Sequence, residues 1–508
     1  MTLPRLLEEQ AALHGAKTLW KNSERSVTYA EADLLTNRLA NWFLAQGIKP
    51  GDRIAIQIPN SPEFLIAYFA AGKAGAIAMP VSPLLHPEEV AYVLSDAEAV
   101  ALVSYSPLLD KVREANCLPD CVKLLVSEAP REGAALLSEI LRQTGFSALP
   151  VTASQVKPDD TAAFMYTSGT TGRPKAAMLS HDNLLFDAKA AVDFIQMREE
   201  DVFLCVLPLF HSFAITVCSL CSLVTGATVY IMPIFLPHEV LKVLAAEHIS
   251  VFPAVPAMLG ALLQREVEPA IFQSVRLIVS GGAPLPVAIF EAYKQRFGVE
   301  IIEGDGPTEC SPITSVNPTH GVKKPGSIGL ALPGTQMQIR DEAGVEMPHG
   351  QVGEIAVQGR HVMQGYWKQP EATAETIRDG WFYTGDLGYE DEEGYFFIVD
   401  RKKDLLITAG MNVYPREIEE VLYRHPAVKE CAVIGRYDEQ RGEVPVAVVA
   451  LKEGSAATDR ELINHCRGSL ARYKCPKAVI FMDALPRTTS GKIQKRLLTK
   501  ELDLSKGD

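Results

Sequence analysis

The sequence predicts an α/β protein, and three observations lead to that class. Short apolar segments typical of strands are followed, after a turn, by segments with helical spacing, as in residues 53–59 and 62–71. Such alternation indicates parallel sheets flanked by helices. Hydrophobic residues make up 47% and charged residues 22% of the chain, which is ordinary globular composition and excludes a disordered or low-complexity protein. The 508 residues predict about three to five folding units.

The same alternation continues through the middle of the chain and then changes. Residues 202–207, 275–280 and 300–303 are further apolar segments that predict strands. Between residues 329 and 399 the pattern becomes short alternating runs separated by glycine-rich turns. That pattern predicts a small β-barrel or meander.

A third region follows near residue 400. Pro415 and the acidic residues just after it predict the start of a helix, because proline fits the first turn and acidic groups favour the positive end of the helix dipole. Apolar runs that begin at Cys431 and Val444 predict strands. We therefore expect a compact α+β unit of about 100 residues.

One long uncharged segment tests whether the chain enters a membrane. Residues 202–237 contain no Asp, Glu, Lys or Arg, and about 20 apolar residues suffice to cross a bilayer. Several prolines interrupt the segment, so a buried helix followed by a strand at 228–232 is the better prediction. Its Cys218 and Cys221 are expected to be buried thiols rather than a zinc or redox pair, since no second pair lies near them.

The cysteine count and the N-terminus bear on location. Nine cysteines are too few and too odd in number for a disulfide framework, so a reducing cytoplasm fits best. The first residues lack a basic region followed by an apolar core, so no signal peptide is expected.

Charge is unevenly distributed along the chain. The formal net charge is −13, but residues 401–508 carry 20 Lys and Arg against 15 Asp and Glu, a net charge of +5, so the first 400 residues carry −18. A nucleic-acid partner is not expected, because such proteins present a basic surface. Either chance asymmetry or a polyphosphate ligand held between the two parts explains this distribution.

Residues 166–175 contain the strongest local signal for chemistry. Glycines, hydroxyl side chains and Lys175 follow a predicted strand, and together they suit a cradle for phosphate groups. The spacing differs from that of a Walker A loop. By composition alone a polar surface loop is an equally good interpretation.

As a complete string, residues 166–175 closely resemble the phosphate loop of the acyl-adenylate-forming superfamily, the ATP-dependent AMP-binding enzymes. Further segments resemble that family in the same order along the chain, and the likeness extends from about residue 39 to residue 498. These segments are residues 207–211, 304–309, 383–387, 400–418 and 486–492.

The resemblance implies a fold and a reaction. The fold is α/β, with a large N-terminal domain (1–402) of two parallel-sheet layers plus a β-barrel at about 329–399, and a small mobile α+β C-terminal domain (403–508). In the reaction a carboxylate attacks the α-phosphate of ATP, giving acyl-AMP and pyrophosphate, and a thiol then takes the acyl group. Magnesium is the implied metal and coenzyme A the implied acyl acceptor.

The resemblance also assigns roles to individual residues near the α-phosphate. Thr308 and Glu309 are expected beside it, with Glu309 holding magnesium, since a hard cation prefers carboxylate oxygen. Thr167 adds a hydroxyl to the same ion. Lys492 is the implied catalytic lysine that bridges the acyl carboxylate and the α-phosphate as negative charge builds up.

Other residues are implied to bind the rest of the nucleotide. Asp386 resembles the carboxylate that accepts from both ribose hydroxyls, and Arg401 resembles its cationic neighbour. The implied ATP-binding residues are Thr167, Ser168, Gly169, Thr170, Thr171, Gly172, Lys175, Gly282, Ala283, Pro284, Gly304, Asp305, Gly306, Thr308, Asp386, Arg401 and Lys492. Asp305 departs from the family, which commonly has an aromatic ring there that stacks on adenine. Residues 281–284 and backbone polar groups are expected to hold adenine instead.

The acyl group is expected to be a fatty acid. Amino-acid adenylators of the superfamily usually present an Asp near or just after the position of His211, whereas residues 210–214 contain no carboxylate. His211 resembles a gate residue between acyl and thiol tunnels, and Phe213, Val255 and Gly281 complete the predicted acyl pocket.

Free coenzyme A is the expected acceptor, since no carrier domain follows Lys492. Lys403 is the implied hinge, and Ala409 and Gly410 are implied to reach the thiol tunnel. The chain thus resembles the bacterial medium- and long-chain fatty acid–CoA ligases. We expect a monomer or homodimer with small-molecule substrates, no transmembrane segment, and at most transient contact with a membrane surface.

Three alternatives remain open: a fatty acyl-AMP ligase that loads a separate carrier protein, a non-enzymatic nucleotide-binding pseudo-enzyme, and a luciferase-like oxygenase.

Overall fold

Two large sheets of mostly parallel strands dominate the computed structural model, which describes residues 1–168, 173–438, 440–487 and 493–502 except for the side chains of Val151 and Ser168. In chain order the strands are β1 (Thr18–Lys21), β2 (Ser26–Thr28), β3 (Arg53–Gln57), β4 (Ile77–Pro80), β5 (Ala99–Ser104), β6 (Leu124–Ser127), β7 (Ala135–Leu136), β8 (Thr161–Ser168), β9 (Pro174–Ser180), β10 (Val202–Cys205), β11 (Thr228–Ile231), β12 (Val251–Ala254), β13 (Leu277–Ser280), β14 (Ile301–Asp305), β15 (Ser315–Val316), β16 (Leu330–Ala331), β17 (Gln336–Arg340), β18 (Gly353–Gln358), β19 (Gly365–Tyr366), β20 (Ile377–Arg378), β21 (Trp381–Glu390), β22 (Phe396–Arg401), β23 (Leu406–Thr408), β24 (Met411–Val413), β25 (Val428–Asp438), β26 (Gly442–Leu451) and β27 (Ala478–Phe481).

The helices connect these strands. The α-helices are α1 (Leu3–His14), α2 (Tyr29–Ala45), α3 (Pro62–Lys73), α4 (Pro87–Asp96), α5 (Ser106–Glu114), α6 (Leu137–Arg142), α7 (Val151–Gln155), α8 (His181–Ile195), α9 (Cys221–Thr225), α10 (Pro237–Ala246), α11 (Pro256–Leu263), α12 (Val287–Phe297), α13 (Pro370–Thr376), α14 (Pro415–Tyr423), α15 (Asp459–Arg467) and α16 (Lys495–Glu501). Ala214–Leu220 form a π-helix, and short 3-10 turns occur at Thr144–Phe146, Pro269–Phe272 and Thr308–Cys310.

The two sheets share one hydrophobic core. Among the described residues, the first sheet has the strand order β19-β9-β8-β4-β3-β5-β6-β7, and the second has the order β16-β15-β14-β13-β12-β10-β11-β1-β2. The largest core cluster includes Ile54 and Ile56 of the first sheet and Phe203 and Val229 of the second. Burial of this shared apolar surface holds the two sheets together. The predicted parallel sheets with flanking helices are therefore confirmed.

The region predicted to contain a small β-barrel, about 329–399, contributes strands to three sheets. Strands β17, β18, β20, β21 and β22 form a separate antiparallel sheet, but β16 pairs with β15 and β19 pairs with β9, so both belong to the large sheets. Local alternation predicts a strand but carries no information about a distant pairing partner. β19 proves important because it brings its residues against β9.

Residues 203–232 of the uncharged segment lie largely within the core, as predicted, whereas Pro233, Ile234 and Leu236 after them are exposed. The π-helix Ala214–Leu220 is buried along its whole length and leads through α9 into β11. Cys218 and Cys221 are buried. Within the described part of the chain, no cluster of metal-ligating side chains occurs, and no helix is long and apolar enough to cross a membrane.

The C-terminal unit contains its own sheet and packs on the small antiparallel sheet. Its strand order is β24-β23-β26-β25, with β27 parallel to β26. Helix α14 begins at Pro415 as predicted. The Arg416 guanidinium donates to the Ile398 carbonyl oxygen at 2.8 Å, and its backbone N–H donates to Asp400 Oδ2 at 2.9 Å. A domain boundary at residues 402 and 403 stays a prediction.

Gly306 marks a close approach between two backbone segments. A Cβ atom added there would lie 1.9 Å from the Pro312 carbonyl oxygen. The Thr314 N–H donates to the Asp305 carbonyl oxygen at 2.9 Å, so the chain folds back on itself across residues 305–314. This fold requires glycine at residue 306, independently of any ligand.

Replacement of Gly306 by alanine should therefore destabilise the protein strongly. We expect the free energy of unfolding of Gly306→Ala to fall by at least about 2 kcal/mol, because overpacking against backbone cannot relax by side-chain rotation. Urea unfolding measures this change. Gly145→Ala is the matched control, since no atom lies within 4 Å of the added Cβ. Equal stability of the two variants would contradict this account of Gly306.

Candidate functional site

Glu309 lies at the centre of the candidate site. It belongs to the 3-10 turn Thr308–Cys310, directly after the fold-back at Gly306. The Thr167 hydroxyl donates to Glu309 Oε1 at 3.1 Å, and the Ser212 and Thr308 hydroxyls are 3.1 Å apart. The structure thus brings together the segments around residues 167, 211 and 308, which are far apart in sequence.

Tyr366 is a site residue that the sequence does not reveal. Its hydroxyl donates to Glu309 Oε1 at 2.8 Å, and Lys175 Nζ lies 5.2 Å from the centroid of its ring. The position depends on the pairing of β19 with β9, where Tyr366 is opposite Ala177. No local pattern in the sequence indicates that pairing.

Asp386 and Arg401 form the second part of the site. They face each other across β21 and β22, with Arg401 Nε 3.1 Å from Asp386 Oδ1. The charge of Asp386, followed by those of Asp305, Asp404 and Glu309, raises the pKa of Arg401 above its ordinary value against the opposing effect of burial. The guanidinium therefore lies in the field of several carboxylates. Its side chain is 51% exposed and the Asp386 side chain only 9%, so the cation faces solvent and the acid is largely enclosed.

The four predicted acyl-pocket residues also lie close to one another. A Cβ on Gly281 would lie 3.5 Å from Phe213 Cζ, and one on Gly282 would lie 3.7 Å from Val255 Cγ1. The Phe213 backbone N–H donates to His211 Nδ1 at 3.2 Å. Phe213 therefore lies over Gly281, which directly follows β13, and the wall that these residues form carries no formal charge. Ala283 and Pro284 continue the same turn.

The site has one carboxylate suited to magnesium. Both hydroxyl donors to Glu309 bind its Oε1 atom, and neither occupies Oε2. Magnesium in nucleotide sites commonly takes one or two protein carboxylates, with phosphates and water completing its shell. Glu309 fits that pattern. The predicted direct role of Thr167 as a metal ligand stays a prediction, because its hydroxyl is engaged with Glu309.

Several predicted residues lie outside the described part of the chain. They are Gly169, Thr170, Thr171, Gly172 and Lys492, together with the side chain of Ser168. Their predicted roles rest on the sequence alone.

The predicted hinge and thiol-tunnel residues lie at the start of the C-terminal unit. Lys403 is exposed in the turn after β22. Its neighbour Lys402 pairs with Glu354 of the small sheet at 3.1 Å. Ala409 and Gly410 connect β23 to β24 with φ angles of +51° and +79°. Glycine adopts this left-handed conformation without strain.

Strand packing explains the glycine at residue 304 (Gly304) without any contact with nucleotide. An added Cβ would lie 2.8 Å from the Ser315 carbonyl oxygen across the β14–β15 pair. Strand pairing alone therefore favours glycine here. Its predicted ATP-binding role remains a prediction.

Glu303, just before this motif, is a buried carboxyl group. Burial raises its pKa to about 7, although the charge of Arg416 and a hydrogen bond from the Leu285 N–H act in the opposite direction. A pKa raised in the folded state means that folding favours the protonated form. Its contribution to stability is complete below pH 4.5 and is lost as the pH rises through about 7.

Glu303→Gln should remove this pH dependence. Relative to wild type, the variant should gain up to about 3 kcal/mol of unfolding free energy between pH 4.5 and pH 8, since one pKa unit corresponds to about 1.4 kcal/mol. Urea unfolding at both pH values measures the gain. Glu300→Gln is the control, because pairing with Lys323 lowers the pKa of that carboxylate. A similar gain in the control, or none in Glu303→Gln, would contradict the assignment.

Comparison with known proteins gives matches over nearly the whole chain. The family model described as AMP-binding enzyme matches residues 7–367, and the model for the AMP-binding enzyme C-terminal domain matches residues 417–492. A long-chain-fatty-acid–CoA ligase of Bacillus subtilis (strain 168) is 35% identical, covering 98% of this chain and 94% of the relative. A feruloyl-CoA synthase of an Amycolatopsis species is 37% identical, covering 94% of each.

A solved structure matches the whole fold. The crystal structure of ATP-bound MatB from Rhodopseudomonas palustris superposes with a TM-score of 0.91 at 34% identity, covering 99% of each chain. The predicted fold, a large N-terminal domain with parallel sheets and a smaller C-terminal domain, is confirmed, and so is the family resemblance carried by the motifs.

Proposed function

This chain belongs to the AMP-binding enzyme family, as an AMP-forming acid–CoA ligase of the acyl and aryl class, and within that class we propose that it activates fatty acids. The finer assignment rests on the wall of the acyl pocket. Phe213 lies over Gly281, and no Asp, Glu, Lys or Arg occurs in residues 202–237. Such a surface offers no charged partner to a charged or amino group on the substrate and therefore favours an apolar acid, such as one with an alkyl chain.

Relatives support two kinds of acid. The similarity to a fatty-acid ligase over 98% of this chain supports an alkyl substrate. The similarity to a feruloyl-CoA synthase supports an aromatic one. The choice between them is the main question for experiment, since a flat ring and an alkyl chain both favour an uncharged wall.

In the first half-reaction, a carboxylate oxygen of the acid attacks the α-phosphorus of ATP, and the bond to the β-phosphate oxygen breaks to release pyrophosphate. We propose that Asp386 accepts from the ribose hydroxyls while Arg401 contributes charge beside it. We further propose that the Thr308 hydroxyl and the Lys175 ammonium donate to phosphate oxygens. Magnesium, held by Glu309, would neutralise phosphate charge.

In the second half-reaction, the sulfur of coenzyme A forms a bond to the acyl carbon and AMP leaves, with loss of the thiol proton. We propose that the chain turns at Lys403, at the boundary between domains 1–402 and 403–508, and that Ala409 and Gly410 then approach the thiol. Large backbone rotations at few residues are how hinges act.

The nine free cysteines support the proposed cytoplasmic location.

The fatty-acid proposal predicts a dependence on chain length. Each added methylene should raise kcat/KM up to about fourfold, corresponding to about 0.8 kcal/mol of burial, until the pocket is full. We expect a steep rise from acetate to medium chains and a plateau at medium to long chains. Release of AMP from ATP, coenzyme A and each acid measures this, with ferulate in the same panel.

Two outcomes would overturn the substrate assignment. Equal kcat/KM for acetate and dodecanoate would exclude an apolar pocket, and ferulate preferred over every alkyl acid would assign the chain to the aromatic ligases. Formation of acyl-AMP without a thioester in the presence of coenzyme A would favour a ligase that loads a carrier protein.

Lys492→Ala tests the two-step reaction. In this proposal the charge of Lys492 is needed only while the α-phosphate is attacked. The rate of pyrophosphate release should therefore fall by several powers of ten, where each tenfold loss in rate corresponds to about 1.4 kcal/mol of activation free energy. Formation of thioester from pre-made dodecanoyl-AMP and coenzyme A should be retained. Lys500→Ala, an exposed lysine on α16, is the control. Equal loss in both half-reactions would mean that Lys492 is structural.

A further inference from the structure

Tyr366 contacts a carboxylate, that of Glu309, and an ammonium group, that of Lys175. Its hydroxyl and that of Thr167 donate to the same oxygen of Glu309, Oε1, at 2.8 and 3.1 Å. The face of its ring lies under the ammonium of Lys175, with Nζ 5.2 Å from the centroid. A tyrosine is suited to both contacts, because its O–H is a donor and its ring face attracts cations.

The backbone holds Tyr366 in this place. The Tyr366 N–H donates to Thr373 Oγ1 at 2.9 Å, and the Trp367 N–H donates to the Ala176 carbonyl oxygen at 2.9 Å. The Met363 N–H donates to the carbonyl oxygen of Glu309 at 2.7 Å. The segment 363–367 therefore fixes both the backbone and the carboxylate of Glu309. Tyr366 is only 8% exposed, so its ring has little freedom to move.

The arrangement keeps two opposite charges apart. Lys175 and Thr167 are paired across β8 and β9, and Thr167 contacts Glu309. Among the described residues, Lys175 and Glu309 form no ion pair within 4.0 Å. An ammonium and a carboxylate that meet in a partly enclosed site attract each other strongly. Tyr366 satisfies each of them separately.

We propose that Tyr366 is a positioning residue that binds one oxygen of Glu309 and holds Lys175 over its ring, so that Glu309 Oε2 remains available to a divalent cation and Lys175 to the phosphates of ATP. This inference rests on the proposed use of ATP but not on the identity of the acid. Groups that orient a metal ligand commonly contribute as much to metal affinity as a weak ligand does.

The test measures metal binding without turnover. Binding of Mn²⁺ to the enzyme saturated with α,β-methylene-ATP, followed by the electron paramagnetic resonance of free Mn²⁺, needs neither acid nor coenzyme A. Tyr366→Phe keeps the ring and removes the hydroxyl. We expect its Mn²⁺ affinity to fall about tenfold, at the lower end of the effect of removing a partner of a metal ligand. Its affinity for nucleotide without metal should be unchanged.

Tyr366→Leu removes the ring as well as the hydroxyl. Lys175 is then free to pair with Glu309, so we expect weaker Mn²⁺ binding and, in addition, weaker binding of TNP-ATP in the absence of metal. The difference between the Phe and Leu variants isolates the contribution of the ring. In steady state, Tyr366→Phe should raise the KM for Mg²⁺ and leave kcat at saturating Mg²⁺ nearly unchanged.

Tyr293→Phe is the matched control. Tyr293 is fully buried in the second sheet's core, and its hydroxyl donates to the Leu259 carbonyl oxygen at 3.1 Å. Tyr293→Phe removes a comparable hydrogen bond that lies away from the site. This variant should therefore leave Mn²⁺ affinity unchanged. In a Glu309→Gln background, Tyr366→Phe should have no further effect on Mn²⁺ binding, since coupled residues are not additive.

Three results would overturn the proposal. They are wild-type Mn²⁺ affinity in Tyr366→Phe, an equal loss in Tyr293→Phe, and an undiminished effect of Tyr366→Phe in the Glu309→Gln background. Failure of the fatty-acid assignment would leave all three measurements unchanged, because none of them uses an acid. Failure to bind TNP-ATP in the wild type would instead contradict the proposed function.

Discussion

The close approach of residue 306 to residue 312 is the constraint on which the rest of the site depends. The chain folds back there with no room for a side chain. β14 therefore ends in a turn whose Glu309 carboxylate accepts from Thr167 of β8 and Tyr366 of β19. The Thr216 hydroxyl donates to the Ser311 carbonyl oxygen at 2.7 Å. The Ser311 hydroxyl donates to the His361 carbonyl oxygen at 2.8 Å. The turn that carries Glu309 is thus held between the π-helix Ala214–Leu220 and the segment that leads into β19.

A buried carboxyl group lies behind this turn. Asp187 is 1% exposed, and its Oδ2 accepts from the Ile313 N–H at 3.2 Å. Burial raises its pKa well above the ordinary value of an aspartate, as it does for Glu303 on the strand before the turn. Both groups hold backbone N–H groups of turns at the site, Asp187 at Ile313 and Glu303 at Leu285.

How much the sequence could predict depended on the range of the interaction involved. The sequence correctly predicts elements that depend on a local pattern, because apolar spacing and proline act over a few residues. Examples are the β3–α3 unit and the helix that begins at Pro415. The pairing of β16 with β15 and of β19 with β9 could not be predicted, because strand pairing connects residues far apart in sequence. Tyr366 was missed for the same reason. Glu309, Asp386 and Arg401 were found only because whole strings resemble a family, since a lone acid or base carries no such signal.

Asp305 illustrates how one substitution changes the physics of a site without removing it. An aromatic ring in its place would offer a stacking surface, whereas the carboxylate of Asp305 adds to the field that raises the pKa of Arg401. Its backbone is unaffected, because the Asp305 carbonyl oxygen accepts from both the Thr314 N–H and the Thr314 hydroxyl. The fold-back therefore tolerates either side chain. The guanidinium of Arg401 therefore pairs with Asp386 and also lies in the field of Asp305. Recognition of the base by backbone groups near residues 281–284 stays a prediction; the turn just after them is anchored by Glu303, whose Oε1 accepts from the Leu285 N–H at 2.9 Å.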